Sequence, residues 1–203
     1  MTLFCGSYRP AEASAASDSV RFCDESVRNR TGGSGGAVPA GPVPVAATWL
    51  SLGTNIGERR TQLARAIAAL PASGVAPTAI SRLYATAPVE MRGRWFFNCV
   101  LRGETALTPL RLLRRLRGLE FALGRRRLGP GYQPRPIDID ILLYDGWRMA
   151  TRELALPHPG IGRRRFLRLG LRDLGAPLPM RATAAVRRQA LRVEATGNWW
   201  SVD

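Results

Sequence analysis

Short runs of apolar, aromatic and β-branched residues predict four strands in the later part of the chain. They read TWLSLG at 48–53, TAISRLYAT at 78–86, WFFNCVLRGET at 95–105 and IDIDILLY at 137–144. Such runs are typical of buried strands when they end at glycine or at a polar turn. GTNIG at 53–57 is predicted to be the turn after the first strand. It is not a Walker phosphate loop, because no Lys-Ser or Lys-Thr pair follows its second glycine.

Two further stretches have the apolar spacing of amphipathic helices. The first stops before Pro71. Its stripe consists of Leu63, Ile67 and Leu70. The second opens with Thr108 and Pro109, which suit an N-cap and a first helical turn, and it closes at Gly124. Its stripe consists of Leu112, Leu113, Leu116, Leu119 and Leu123.

The order of these elements predicts the fold class. Strand, helix, strand, strand, helix, strand is the order of an α+β, ferredoxin-like βαββαβ sandwich, with an antiparallel sheet and the helices packed on one face. We predict one such domain at 48–203. Residues 1–47 are rich in Ala, Ser, Gly and Pro and have no apolar periodicity, so we predict that they form a disordered extension.

The charge of the chain adds a constraint on its partners. The 203 residues are 45% hydrophobic, which is enough for one core, and the net charge is +15. All 30 basic residues are arginine. Arginines and acidic residues balance within 1–47, so the excess lies on the predicted domain. A basic domain predicts an anionic partner, which could be a polyphosphate nucleotide, nucleic acid or an acidic membrane surface.

The cysteines and the hydropathy indicate a compartment. Cys5, Cys23 and Cys99 have no zinc-site spacing and do not make an even disulfide set. No run reaches the length of a membrane span, and the first residues lack the apolar stretch of a signal peptide. We therefore expect a soluble protein of the reducing cytoplasm, and we expect it to be a monomer.

The last predicted strand carries two aspartates at alternate positions. Ile137, Ile139 and Ile141 share the face that packs on the helices, whereas Asp138 and Asp140 share the other face. Carboxylates about 6.6 Å apart repel by roughly 2–3 kcal/mol at an effective dielectric constant of about 20, so a cation is expected beside them. Magnesium accepts one or two carboxylates, and two such ions can clamp a phosphoryl transfer. The alternative is that both aspartates are solvated on an open face of the sheet.

An arginine-rich segment, GRRRLGPGYQPRP at 124–136, leads into this strand. It places Arg125, Arg126, Arg127 and Arg135 near the carboxylates, where a triphosphate needs its charge neutralised. The alternative is a solvated basic surface. Glu120 falls beside the leucine stripe of the second helix, so we predict that it is partly buried and has an arginine partner.

Five ordered pieces of the sequence resemble one family. They are SLGTNIGERRTQLARAIAAL, YATAPVE followed by FFN, LEFALGRRR, PRPIDIDILLYDG and LPHPGIGRRRF, and the resemblance covers nearly all of 48–203. In this order and spacing they are similar to the 6-hydroxymethyl-7,8-dihydropterin pyrophosphokinases, folate-pathway enzymes that move pyrophosphate from ATP to a pterin alcohol. The resemblance implies two Mg²⁺ ions as cofactors, ATP as co-substrate and the pterin as acceptor, with no nucleic acid and no membrane as partner.

The resemblance also implies roles for the phosphate-binding residues. Asp138 and Asp140 would bind the magnesium ions that bridge the ATP phosphates, while the pterin hydroxymethyl oxygen attacks the β-phosphorus and AMP leaves. Arg125 and Arg135 match arginines that act on the phosphates during transfer. The other residues implied in ATP binding are Glu120, Arg127, Tyr132, Ile141, His158 and Arg164.

A pterin site is implied in the same way. Its members are Thr86, Ala87, Val89, Phe96, Asn98 and Phe166. The Asn98 amide would pair with the donor and acceptor edge of the ring, Phe96 and Phe166 would sandwich the ring, and Thr86 with neighbouring backbone groups would complete the edge contacts. Without the resemblance, both phenylalanines read as core residues.

The sequence departs from the family pattern mainly in the arginine-rich segment. Gly131 and Tyr132 stand where Arg and Trp are common, and Gln133 replaces a glycine, so one positive charge is missing. Arg117 replaces a common glutamine near the adenine, and Pro159 is an unusual residue after the histidine. We expect these departures to affect nucleotide affinity and loop closure, but not the metal carboxylates or the pterin amide.

Two other functions are compatible with the sequence. One is a nucleic-acid-binding ferredoxin-like module, favoured by the net charge of +15 and by Phe96 and Phe97 on one strand. No aromatic ribonucleoprotein motif is present, and the charge of Asp138 and Asp140 would repel a phosphate backbone without a metal. The other is a folded relic of the enzyme that the loop departures have inactivated.

Overall fold

The computed structural model describes residues 45–87, 94–125, 135–184, 186 and 189–201. The strands are β1 (Ala46–Thr54), β2 (Ala76–Ile80), β3 (Leu83–Thr86), β4 (Phe96–Thr105), β5 (Asp138–Tyr144), β6 (Met149–Ala150), β7 (Ala155–Leu156) and β8 (Leu191–Ala195). The α-helices are α1 (Arg59–Ala69), α2 (Pro109–Ala122) and α3 (Arg165–Asp173).

The main sheet has the strand order of the predicted fold class. Its order is β5-β1-β4-β3-β8, with β2 also paired to β4, and each of these pairs is antiparallel. The prediction of an antiparallel sheet with two helices on one face is confirmed. The stretch 78–86, predicted as one strand, is divided between β2 and β3. Both pair with β4. The interruption at Ser81 and Arg82 is stabilised by a hydrogen bond from the Val100 amide to the Ser81 hydroxyl.

The main core lies between the sheet and helices α1 and α2. The predicted stripes are buried here, and Ile137, Ile139 and Ile141 face the same core. Leu119 and Leu123 are only partly buried at its margin. Thr108 is at the N-cap of α2 as predicted, although its hydroxyl makes no capping hydrogen bond.

Helix α3 packs on the opposite face of the sheet, which the sequence pattern did not predict. Its residues Phe166, Leu167 and Leu171 form a second cluster with side chains that include Val100 and Leu142. A Cβ at Gly170 would lie 2.4 Å from the Val100 side chain, so only glycine allows this approach of helix to sheet. The face that carries the two aspartates is therefore covered beyond Asp140 and is not an open surface.

The C-terminal segment completes both the sheet and the core. Strand β8 pairs with β3 at the edge of the sheet. Trp199 lies in the main core, and its indole donates to the Ser81 carbonyl at 3.0 Å. Arg60 in turn donates to the Trp199 carbonyl at 2.9 Å. No helix in the described ranges is long and apolar enough to cross a bilayer.

Candidate functional site

One row of residues across three strands links the two halves of the site. In β5, Asp138 lies opposite Gly53 of β1, and Gly53 lies opposite Asn98 of β4. Asp140 lies opposite Ser51 in the next row that faces the same way. Neighbouring strands are about 4.8 Å apart, so the backbones of Asp138 and Asn98 are separated by roughly 10 Å. The predicted metal carboxylates and the predicted pterin amide therefore share one face of the sheet.

Gly53 leaves the space between them open. A Cβ at this position would lie 2.7 Å from the Asn98 Oδ1, which is closer than real Cβ contacts come. The missing side chain lets the Asn98 amide lie over β1. It also leaves no side chain between Asn98 and Asp138 along the row.

Two arginines neutralise Asp138. Arg125 Nη1 lies 2.7 Å from one Asp138 oxygen, and Arg135 Nη1 lies 3.4 Å from the other. The cation expected beside the carboxylates is thus supplied, for Asp138, by the protein itself. Both arginines were predicted to lie here.

Glu120 ties the end of α2 to this cluster. Its carboxylate accepts from Arg125 Nη1 and, at 2.7 Å, from the Ile139 amide. The side chain is buried, and the predicted arginine partner is Arg125. Burial raises the pKa of Glu120 to about 7, against the opposing effects of the Ile139 amide and the Arg125 charge.

Asp140 has a different environment from Asp138. Burial and the charge of Asp138 raise the pKa of Asp140, while His158, Arg164 and Arg135 act in the opposite direction. Arg164 is at the N-cap of α3, so this helix brings the guanidinium to the second carboxylate. An ionised Asp140 therefore favours additional positive charge beside it.

The protonation state of His158 follows from its contacts. Its Nδ1 accepts a hydrogen bond from the Gly160 amide at 3.1 Å, so in the neutral ring the proton is on Nε2. Burial lowers the pKa of His158, which favours this neutral form. The backbone amide of His158 donates to the Leu142 carbonyl at 2.9 Å and fastens the residue to β5.

A cavity of about 300 Å³ lies between α2, β5 and the segment from Thr151 to Pro159. The predicted site residues that line it are Glu120, Arg125, Asp138, Asp140, Ile141 and His158. Arg127 and Tyr132, which were predicted to bind ATP, lie outside the described residues, as do Arg126 and the departures at Gly131 and Gln133.

The predicted pterin residues meet on the same face of the sheet. Asn98 Nδ2 donates to the Thr86 hydroxyl at 2.9 Å, and both side chains are buried. Phe96 lies opposite Thr86 in the strand register, and Phe166 reaches this face from α3. Both rings are buried, which also fits the reading of them as core residues. The Ala87 amide donates to the Ala190 carbonyl. Val89 lies outside the described residues.

Asn55 is a site residue that sequence reasoning missed. Its Oδ1 accepts from the Arg135 amide at 2.9 Å, and its side chain is only 4% exposed. The GTNIG segment is therefore more than the predicted turn, because it fixes the chain where β5 begins. An asparagine in a turn carries no sequence signal for such a distant contact.

The carboxylate pair fits magnesium better than a closed metal centre. The described part of the chain has no group of three or more His, Cys, Asp and Glu side chains that could hold a metal. Magnesium is commonly held by one or two carboxylates and completes its shell with water and substrate phosphate. A cation bound beside Asp138 and Asp140 would offset the repulsion between the two carboxylates.

Comparison with known proteins decides which family this site belongs to. The model of the 7,8-dihydro-6-hydroxymethylpterin-pyrophosphokinase (HPPK) family matches residues 49–176. The chain belongs to this family. The resemblance seen in the sequence is thereby confirmed.

Individual HPPK relatives agree with the family model. The 2-amino-4-hydroxy-6-hydroxymethyldihydropteridine pyrophosphokinase of Bacillus subtilis is 34% identical over 139 residues, which cover 68% of this chain and 83% of that protein. A folate synthesis bifunctional protein of Arabidopsis thaliana is 36% identical over 126 residues, 62% of this chain and 26% of that protein. The chain thus spans about a quarter of that bifunctional relative's length.

A solved structure supports the HPPK fold independently. The Plasmodium falciparum HPPK-DHPS crystal structure matches 64% of this chain and 41% of that chain with a TM-score of 0.50. Sequence identity in this match is 16%, so the match is evidence for the fold and not for the function.

Proposed function

We propose that this chain transfers pyrophosphate from ATP to the hydroxymethyl group of 6-hydroxymethyl-7,8-dihydropterin in folate biosynthesis, with release of AMP. The observation that carries the proposal is the row Asp138, Gly53 and Asn98 across β5, β1 and β4. Asp138, the proposed phosphate end, and Asn98, the proposed pterin end, lie on one face of the sheet, with no side chain between them along the row. Membership of the HPPK family supports the same reaction.

The chemistry of the transfer is a substitution at the β-phosphorus of ATP. The pterin hydroxymethyl oxygen forms a bond to this phosphorus, the bond to the α,β-bridging oxygen breaks, the hydroxyl proton is released, and AMP is the leaving group. Asp138 and Asp140 would hold magnesium, which when bound neutralises phosphate charge. We propose two such ions. The main contribution of the protein to the rate is then to position the two substrates for in-line attack.

The arginines and the histidine are suited to the phosphate end. Arg125 and Arg135 lie at Asp138 with fork-shaped donors that match phosphate oxygens. His158 carries its proton on Nε2 when neutral, so it can donate to a phosphate oxygen without adding charge. Arg164 adds a positive charge near Asp140 and His158.

The pterin end is suited to reading a ring edge. Asn98 Nδ2 donates to the Thr86 hydroxyl, and this hydrogen bond fixes the orientation of the amide. The Asn98 Oδ1 can then accept a hydrogen bond from a ring N–H of the pterin. Phe96 and Phe166 supply aromatic faces on the same side of the sheet. We further propose that the protein acts as a monomer in the cytoplasm.

The test is AMP formation from ATP and Mg²⁺ by the purified full chain, with and without 6-hydroxymethyl-7,8-dihydropterin. Pterin-dependent AMP is the expected result. Bound pterin without AMP would instead identify an inactive relic. Binding of neither substrate would contradict the proposal. It would favour the alternative in which the arginines bind nucleic acid.

Replacing the carboxylates tests the metal assignment. Asp138→Ala and Asp140→Ala should each abolish magnesium-dependent turnover and leave the circular dichroism spectrum of the folded protein unchanged. Asp145→Asn is the matched control, because Asp145 is an exposed acid directly after β5. Turnover retained by either alanine variant would refute the two-carboxylate site.

A further inference from the structure

Arg59 contacts the start of β4, the strand that carries two of the proposed pterin residues. It is the first residue of α1, and its Nη1 donates to the Trp95 carbonyl at 2.7 Å. Its guanidinium carbon lies 4.0 Å from the centre of the Phe97 ring. One side chain thus binds both neighbours of Phe96 in the sequence.

The course of the chain explains how α1 reaches β4. Thr54, at the end of β1, lies opposite Phe97 in the sheet. The chain then turns through the GTNIG segment, and Arg59 is the second residue after this segment. The first turn of α1 therefore lies next to the start of β4.

Arg59 reaches β4 from the face opposite to the proposed pterin site. Phe97 packs against the main core, on the side of α1 and α2. Side chains alternate along a strand, so Phe96 and Asn98 face the other way. A pterin between Phe96 and Phe166 therefore makes no direct contact with Arg59, and an effect of Arg59 on the pterin has to pass through the strand.

The stability of α1 does not account for the charge of Arg59. The first turn of a helix carries a partial positive charge, so it favours acidic side chains and disfavours basic ones. Helix α1, which the structure describes in full, has no acidic residue in its first turn. The favourable interactions of the Arg59 guanidinium are those with the Trp95 carbonyl and the Phe97 ring.

The side chains next to Phe96 are not held by the core alone. Trp95 and Phe97 are partly exposed, whereas Phe96 between them is buried. Arg192 of β8 lies over the Trp95 ring, with its guanidinium carbon 5.2 Å from the ring centre. Within the described residues, Arg59 is the side chain that joins Trp95 to Phe97. Its loss would therefore loosen the backbone on both sides of Phe96.

We propose that Arg59 is a positioning residue that orients the Phe96 ring for the pterin. It holds the Trp95 carbonyl and the Phe97 ring, and this sets the direction of the Phe96 ring and the position of the Asn98 amide on the opposite face of β4. The inference rests on the proposed function, because Arg59 acts only through the proposed pterin residues. A guanidinium suits both contacts, since it donates hydrogen bonds in its plane and stacks on an aromatic ring through its face.

Two ligands measured on the same protein separate this role from a general effect on folding. Calorimetry on the full chain gives the Kd of α,β-methylene ATP with Mg²⁺, and then the Kd of 6-hydroxymethyl-7,8-dihydropterin in the presence of that analogue. Arg59→Ala should weaken the pterin by about 5- to 20-fold, through loss of a cation–π contact and a charge-assisted hydrogen bond. The Kd of the ATP analogue should stay within about twofold, because its proposed residues lie on other elements.

Further substitutions identify the contact that matters. Arg59→Lys keeps a charged donor and should restore part of the pterin affinity, whereas Arg59→Met fills space without charge and should resemble Arg59→Ala. Phe97→Leu keeps the apolar bulk but removes the ring, so it should weaken pterin binding. In the Phe97→Leu background, Arg59→Ala should have a smaller effect than it has alone.

Arg60→Ala is the matched control. Arg60 is the next residue of α1 and donates to the Trp199 carbonyl at 2.9 Å, so this variant loses an equal charge and a similar hydrogen bond. Because this contact is with the C-terminal segment and not with β4, Arg60→Ala should lower the Tm and leave the Kd of the pterin unchanged.

Several results would overturn the inference. An equal loss of both ligands in Arg59→Ala would assign Arg59 a general structural role, and a similar loss of pterin in Arg60→Ala would show that the contacts with β4 are not the cause. Full pterin affinity in Arg59→Ala or Arg59→Met would show that these contacts do not position the ring. If the unaltered protein bound no pterin, the proposed function itself would fail, whereas failure of the inference alone appears only in the variants.

Discussion

Asn55 acts on the site through the backbone of Arg135. Its Oδ1 accepts the Arg135 amide at 2.9 Å, and the Arg135 guanidinium then reaches Asp138 at 3.4 Å. An unsatisfied buried hydrogen-bonding group costs about 1–3 kcal/mol, so the local chain would shift if this acceptor were removed. The direction of the Arg135 side chain thus depends on a residue that has no predicted contact with a substrate.

We predict that Asn55→Ala lowers kcat by about tenfold through Arg135. Arg135→Ala alone should lower kcat by about 10²- to 10³-fold, with little change in pterin affinity, as for loss of one transition-state donor. In the Arg135→Ala background, Asn55→Ala should have almost no further effect on kcat. Steady-state kinetics on the four proteins of this cycle measure the coupling.

The exposed Asn198 provides the control for this cycle, because Asn198→Ala should leave kcat unchanged. Additive effects of Asn55→Ala and Arg135→Ala would contradict the mechanism and assign Asn55 a general structural role. A loss confined to pterin affinity in Arg135→Ala would refute a role for this arginine in transfer.

Single residues of the site could be predicted where the chemistry is local in sequence. Asp138 and Asp140 are two residues apart, and alternation along a strand is enough to place them on one face. Asn55 and Gly53 could not be assigned their roles in this way. Their contacts with Arg135 and Asn98 depend on strand register, which joins positions far apart in the chain.

At the scale of elements, one carboxylate adds polar contacts to the apolar packing of α3 on the sheet. Asp173 at the end of α3 accepts from the Arg82 guanidinium at 2.8 Å, from the Arg82 amide at 3.2 Å and from the Tyr84 hydroxyl. Burial, and after it the hydrogen bond to Asp173, raises the pKa of Tyr84. Tyr84 also lies opposite Asn98, so the docking of α3 bears on the proposed pterin end of the site.

This raised pKa predicts a loss of stability at alkaline pH. The unfolded chain releases the tyrosine proton near pH 10, whereas folded Tyr84 keeps it to higher pH. The contribution is fully present below about pH 10 and decreases as the pH rises above it. Urea unfolding across this range should show a falling free energy of unfolding, with a shallower fall in Tyr84→Phe. Equal slopes for both proteins would contradict the assignment.

The helices and strands between β1 and β5 were predicted from local patterns, whereas α3 and β8, which follow them, were not. The leucine stripes of α1 and α2 and the alternation in β5 are sufficient signals by themselves. Helix α3 is amphipathic but only nine residues long, and β8 is largely exposed. The position of α3 depends on the close approach of Gly170 to Val100, and the position of β8 depends on its pairing with β3. Both are contacts between distant parts of the chain, so a local sequence pattern does not indicate them.

At the scale of the molecule, the described site uses residues from Ser51 to Phe166, and β1 begins at Ala46. We predict that deleting residues 1–45 leaves kcat, and the KM values for ATP and the pterin, unchanged within about twofold. Among the described residues, the hydrogen bonds and ion pairs of the site join positions that follow this segment. Comparing the steady-state kinetics of the truncated and full chains tests this, and a tenfold or larger loss would show that the segment contributes to the site.

The position of β5 at the edge of the sheet has a consequence for the behaviour of the protein in solution. An edge strand offers unpaired amides and carbonyls to strands of other molecules and so promotes aggregation. On β5, Glu120 takes the Ile139 amide, and the His158 amide occupies the Leu142 carbonyl. Two residues of the proposed nucleotide site therefore also occupy hydrogen-bonding groups on this edge, which leaves fewer of them for pairing with a second molecule.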